Sequence, residues 1–339
     1  MKLRYETRRL ELNHQFTVAR SSKAFAENVF LTLHADGVAG YGEAAPSYFF
    51  HESAATITQF YDAWQSSFLE IDIADVQWLE RLVQPVAGNY AAKAGLNIAM
   101  FDLLGKLADR PLHQLLGCES NAPLVTSFTI GIDRLEVIKA KVLAADPFPI
   151  LKIKLGTPDD YLIIETIRSL TDKPLRIDAN EGWTREEAVS KINWLAHQNV
   201  ELVEQPVLAD DLDGLKYVRE RVSLPVFADE SLRTSADLER LAGTVDGVNI
   251  KLMKCGGLSE ALRMVHRAKA LELQTMIGCF IESSVAITAA AHIAALFDYI
   301  DLDGSLLLKA DPFRGVKIME GKLVLPEAAG LGVEFIGFK

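Results

Sequence analysis

Beyond residue 124 the chain switches, eight times over, between a short β-rich run and an amphipathic helical stretch. The runs are VTSFTIG (125–131), ILKIKLG (150–156), PLRIDAN (174–180), ELVEQP (201–206), PVFADES (225–231), GVNIKL (247–252), QTMIGCF (274–280) and YIDLDGS (299–305). A helix between two such runs makes each adjacent pair a βαβ unit with parallel strands, and eight of them close into an α/β barrel of TIM type. Before residue 124 the texture differs. Residues 1–50 alternate polar and apolar with Asp36-Gly37 placed for a hairpin turn, and from Ala54 to Leu116 the apolar spacing is helical. Strands followed by helices predict an α+β module over 1–122. The barrel is expected over 123–313, with the glycine-rich stretch 314–339 returning to complete the first module.

Parallel strands covered on both faces should be almost wholly apolar, so a charge near the carboxyl end of one needs a reason. Lys154, Asp178, Glu204, Asp229 and Lys251 stand near the ends of runs two to six, and Asp301 stands on the eighth. In a TIM barrel that end is the active-site face, which makes the series a ring of ionisable groups around one mouth. The lysines, on runs two and six, face each other; the carboxylates of runs three, four and five lie between them. Three converging carboxylates suit a hard divalent cation such as Mg²⁺, and no His/Cys cluster offers a zinc site. Asp301 and Asp303, two residues apart, point the same way and can hold a cation.

A lysine with its ordinary pKa of about 10.4 is protonated at neutral pH and is no base. Lys152, on the same side of its strand as Lys154, together with a nearby Mg²⁺, predicts a downward shift. The cation would also offset the dianion formed when a proton leaves a carbon beside a carboxylate. Two opposed bases, one removing a proton and the other returning one to the far face, are the equipment of a racemase or epimerase.

Composition narrows the partner. The net charge is −11 and the pI about 5.2, without a local basic patch, so nucleic acid and anionic membranes are poor partners and a small molecule is the better one. The amino terminus has no apolar core of a secretory signal, nothing later resembles a membrane span, and Cys118, Cys255 and Cys279 are too scattered for a disulfide framework. A cytoplasmic location is expected. The seven histidines avoid the strand ends. Oligomeric state, including a homo-oligomer, is left open.

Taken together, KIKLG (152–156), RIDAN (176–180), ELVEQP (201–206), FADES (227–231) and NIKLMKCGG (249–257) closely resemble the enolase superfamily, muconate-lactonizing subgroup, and within it the dipeptide epimerases. The resemblance spans nearly the whole chain and implies a modified TIM barrel of (β/α)7β type under an α+β capping domain. It implies Lys154 and Lys251 as the acid/base pair, Asp178, Glu204 and Asp229 as Mg²⁺ ligands, and Lys152 near the substrate carboxylate. The sequence DLDGS (301–305) resembles the Asp-x-Asp signature with which dipeptide epimerases bind the free amino group, so Asp301 and Asp303 are expected there. Thr129, Cys279, Phe280 and Ile281 should line the substrate. The implied reaction is Mg²⁺-dependent 1,1-proton transfer through a metal-stabilised enolate, inverting the α-carbon of the carboxyl-terminal residue.

Side-chain preference should lie in the cap loops VARSSKAF (18–25) and SYFFHE (47–52). Relatives acting on Ala-Glu carry an arginine in the first loop; Ser21 stands at that place, with Arg20 one residue early. Tyr48, Phe49 and Phe50 offer an apolar wall, which favours small or hydrophobic dipeptides such as Ala-Ala. The alternatives are an L-Ala-D/L-Glu epimerase, or an N-acylamino acid racemase, muconate cycloisomerase or o-succinylbenzoate synthase of the same superfamily. Those last three would have no use for Asp301 and Asp303.

Overall fold

A computed structural model describes residues 1–65, 83 and 86–338. The chain opens with a three-stranded antiparallel sheet of Lys2–Val18, Ser21–Ala35 and Val38–Ala44. The turn joining the last two strands is Asp36-Gly37, at φ +48° and +78°, the left-handed pair a two-residue hairpin requires. The helix Tyr90–Leu107 crosses this sheet. Gly40 and Gly42 permit the close approach: a Cβ on either would fall 2.2 Å from the carbonyl oxygen of Ala99 or Gly95. The helix is buried nearly all round because its other side packs on the barrel, where Asn97 exchanges hydrogen bonds with Ser259. The helical texture expected across 66–85 lies outside the described residues, Val83 aside.

Each of the eight runs contains a parallel strand: Phe128–Ile130, Leu151–Lys154, Leu175–Asp178, Val200–Glu204, Val226–Ala228, Gly247–Lys251, Gln274–Gly278 and Tyr299–Asp301. They pair in sequence order, called here barrel strands one to eight. A bridge from Thr126 to Ile300, with Ser127 N donating to Ile300 O, joins the first run to the eighth. Helices occupy the seven crossovers and a short 3-10 turn, Gly304–Leu307, follows strand eight, which gives the (β/α)7β form. Leu202, Phe227 and Met276, with Tyr299 against them, plug the barrel interior below the charged mouth.

The carboxyl-terminal stretch packs against the first sheet. Phe313, on a strand paired with Glu334–Phe335, stacks on Phe30 and meets Tyr41 edge-on, while Arg8 covers the ring of Phe338. Leu12 bridges to Leu308, and Lys309 N donates to Glu11 O. No helix of the described residues is long and apolar enough to cross a membrane.

Candidate active site

Parallel register sets the charged residues side by side. Lys154 pairs with Asp178 and Asp178 with Glu204 across strands two, three and four, and Asp229 follows strand five by one residue. One oxygen from each of Asp178, Glu204 and Asp229 lies within 4.8 Å of the others, and all three residues are buried. Neighbours fix their orientation. Asn180 N donates to Asp178 Oδ1 (3.0 Å), Asn249 Nδ2 to Glu204 Oε1 (2.7 Å), and Asp229 N to Gln205 Oε1 (2.9 Å).

These residues fit a hard cation. Glu204 Oε2, Glu230 Oε2, Asn180 Oδ1 and Asn249 Oδ1 are buried oxygens without a hydrogen bond. Glu204 Oε2 does lie 2.7 Å from Lys152 Nζ, but too obliquely to accept a hydrogen bond. Orphaned buried oxygens beside a carboxylate trio are what an oxygen-seeking ion such as Mg²⁺ would satisfy. Burial, reinforced by the charge of Asp178, pushes Glu204 up to about 7, and burial beside Asp229 pushes Glu230 up to about 8.

The two opposed lysines engage the carboxylates directly. Lys154 Nζ donates to Asp178 Oδ2 at 2.5 Å and Lys251 Nζ to Asp229 Oδ2 at 2.7 Å, with both lysines buried. Burial pulls Lys251 down, but Asp229 and Glu204 outweigh it and the net shift is upward. Lys152 is likewise drawn down by burial and raised well above its usual range by Asp301, Glu204 and Asp178. At Lys152 and Lys251 direct contact with carboxylates outweighs a neighbouring ammonium.

Lys254 had been given no role. It is buried one turn beyond Lys251 and reaches back to Asp229, its Nζ 2.5 Å from Oδ1 and 2.6 Å from the backbone oxygen. Asp229 thus carries two ammonium partners, which overcome burial and hold its carboxyl well below the usual range. The signal available in NIKLMKCGG was the second lysine three residues on, which reads as an ordinary helix-surface residue.

Strand eight completes the ring beside strand one. Asp301 is engaged on both oxygens, accepting from Ser127 Oγ and Lys152 Nζ, each at 2.7 Å. The cation it holds is therefore Lys152. Asp303 accepts from Thr129 N at 2.6 Å, and burial with the charge of Asp301 raises it to about 6. Cys279 leans on Asp301 O, and the Phe280 ring lies 5.0 Å from Lys251 Nζ.

A cavity of about 450 Å³ opens over this floor, and Lys152, Lys154, Lys251, Asp229, Thr129, Asp301, Asp303, Cys279, Phe280 and Ile281 all line it. Asp178 and Glu204 lie beneath, fully buried. The cap roofs it with the hairpin turning at Ala19-Arg20 and with Tyr48, Phe49 and Phe50. Ile132 N donates to Thr17 O at 2.9 Å and Arg20 pairs with Glu181, docking the hairpin on the barrel loops. Gly156, at φ +103°, leaves room for it: a Cβ there would fall 2.7 Å from that of Ala19. A second cap contact was not foreseen. Glu43, buried in the cap sheet, accepts from Ser283 N (2.9 Å), Ser283 Oγ (2.6 Å) and Asn28 Nδ2 (2.8 Å), and burial raises it to about 7.

An (β/α)7β barrel whose mouth gathers a carboxylate trio between opposed lysines matches a known class. Residues 136–337 match the enolase C-terminal domain-like family model, and residues 4–117 that of the mandelate racemase / muconate lactonizing enzyme N-terminal domain. The chain belongs to this family, within the enolase superfamily, and is an isomerase. Among named relatives it is similar to the dipeptide epimerases. It is 40% identical to the L-Ala-D/L-Glu epimerase of Bacteroides thetaiotaomicron over 98% of this chain and 88% of that one. It is also 40% identical to an L-Ala-D/L-amino acid epimerase of Pedosphaera parvula, over 98% and 99%. The dipeptide epimerase of Enterococcus faecalis solved with Mg and L-Leu-L-Tyr superposes with a TM-score of 0.93 at 36% identity, covering 98% of this chain and 99% of that one.

Proposed function

We propose that the protein is a Mg²⁺-dependent dipeptide epimerase that inverts the α-carbon of the carboxyl-terminal residue. One observation carries the reading: Lys154 and Lys251, from opposite strands, line the same cavity as the carboxylate floor. Asp178, Glu204 and Asp229 would hold Mg²⁺. Bound there, Mg²⁺ would supply positive charge against the substrate carboxylate and would share Asp178 and Asp229 with the two lysines, loosening their pairing.

Lys152, locked as an ammonium among Asp301, Glu204 and Asp178, would receive the substrate carboxylate. Asp303 would take the free amino group, because Asp301 is already committed to Lys152 and Ser127. A dipeptide held at both ends leaves its carboxyl-terminal α-carbon between the lysines. One lysine accepts the proton from that carbon; the other delivers its own to the opposite face, and the centre inverts. The aromatic roof of Tyr48 and Phe49, stacked at 4.2 Å, supports small or hydrophobic side chains such as those of Ala-Ala, although the roof also presents Lys23.

Incubation in deuterated water with Mg²⁺ and a dipeptide panel tests this. Deuterium should enter only at the carboxyl-terminal α-carbon, cease on chelation and return with Mg²⁺. In Lys154→Ala and Lys251→Ala, exchange should be lost or confined to one enantiomer. Uptake by N-acylated amino acids alone would overturn the role given to Asp303.

A further inference from the structure

We propose that Asn28 of the cap sheet, held by Glu43, is a positioning residue for one half of the proton transfer: through the loop after barrel strand seven it keeps the ring of Phe280 against Lys251. The proposal rests on the epimerase reading above and gives the cap sheet a part in the chemistry.

Strand seven ends at Gly278, and the loop that follows lies outside the sheet. Side chains place it instead. Glu282, itself buried, accepts from Phe280 N at 2.8 Å. Asn28 Nδ2 donates to Ile281 O at 3.1 Å, and Glu43 accepts from Ser283 N at 2.9 Å and from Ala286 N at 3.3 Å. Two of these three anchors belong to the cap sheet. Asn28 Nδ2 also donates to Glu43 Oε1 at 2.8 Å. Both partners of that amide nitrogen are acceptors, which fixes the way the amide points and spends both of its donors. Asn28 is 2% exposed and Glu43 0%, so neither side chain has room to swing.

The loop carries the ring of Phe280, 5.0 Å from Lys251 Nζ. A cation is drawn to an aromatic face, the more so away from water. Asp229 holds the Lys251 ammonium by charge at 2.7 Å, and Phe280 supplies a second surface for it. The same end of the cap strand touches the chain just past Lys251: Ala45 N donates to Met253 Sδ at 3.3 Å. Lys154 has no share in this. It pairs with Asp178, and the loop after its strand meets the cap elsewhere, at Gly156 against Ala19. The two lysines serve opposite faces of the reacting carbon, so a slack loop should handicap one face and spare the other. A misplacement of about 1 Å can cost roughly a hundredfold in rate, which gives contacts this far from the reacting carbon their leverage.

The test is α-deuterium exchange with Mg²⁺, followed separately for the two epimers of whichever dipeptide the wild type exchanges fastest. Asn28→Leu keeps the shape of the side chain and removes both donors. In it, exchange of one epimer should fall roughly 10- to 100-fold while the other changes by less than about threefold. The epimer that falls should be the one Lys251→Ala exchanges least. Phe280→Leu, which leaves the loop's anchors in place, should show the same one-sided loss, and it carries the test if Asn28→Leu does not fold. Equal losses for both epimers, as a merely structural role would give, overturn the assignment while leaving dipeptide epimerisation standing. So does no loss for either, or a loss confined to the epimer that Lys251→Ala spares. A wild type that exchanges no dipeptide overturns both.

Discussion

Asp229 shows how densely the mouth of the barrel is balanced, with one carboxylate between two buried ammonium groups and within a carboxylate trio that could hold a cation. Removing one partner leaves charge that the interior cannot solvate. Lys254→Met should therefore destabilise the protein by about 3–5 kcal/mol, measured as a drop in the urea midpoint at unchanged m-value. A loss below about 1 kcal/mol would mean that Lys254 is not buried against Asp229 as described. At this scale the sequence was legible where a residue broke a rule. Lys154, Asp178, Glu204 and Lys251 interrupt apolar strands, and a charge in a covered strand cannot be accidental. Lys254 and Lys23 break none: a lysine on a short helix or an edge hairpin is ordinary, and only tertiary packing reveals that each faces inward. The sign of a lysine's pKa shift was not legible for a related cause, since it depends on distances to the carboxylates, which are not written in the strand order.

Between elements, Glu43 ties the cap sheet to the barrel. It accepts hydrogen bonds at the start of the helix Ser284–Ile293, directly after the loop of Phe280 and Ile281 that lines the cavity. Its pKa, raised from 4.5 to about 7 by burial, has a signed consequence. The folded state binds the proton more tightly than the unfolded chain, so the stability this group contributes is fully present below about pH 4.5 and is lost as pH rises through about 7. Unfolding free energies at pH 4.5 and pH 8 should differ by roughly 2–3 kcal/mol more in the wild type than in Glu43→Gln. Parallel slopes for the two proteins would show that Glu43 does not titrate in this range. The elements themselves were largely readable, because period-two runs and helical spacing mark them locally. The docking of the first hairpin on Gly156 and Glu181 was not, because it depends on a bare backbone far along the chain.

For the molecule as a whole, the ring of charge is a structural element that a cation should complete. Mg²⁺ that binds the folded chain alone should stabilise it by about 2.7 kcal/mol at one hundred times its Kd, seen as a concentration-dependent rise in Tm reversed by chelator. No rise in Asp178→Asn or Asp229→Asn, with a rise in the wild type, would locate the effect at the trio. Barrel topology was legible because eight repeats leave few ways to close; the seat of the cap was not, since it is set by contacts such as Asn13 Nδ2 with Leu308 O, 295 residues apart.

The closure of strand one against strand eight carries a last consequence. Lys152 is fastened to Asp301, and the roof strand that begins the chain is tied down by residues close to its end. A nascent chain halted short of Asp301 would therefore leave the ammonium of Lys152 short of a partner and the cavity without the wall that Asp301 and Asp303 build.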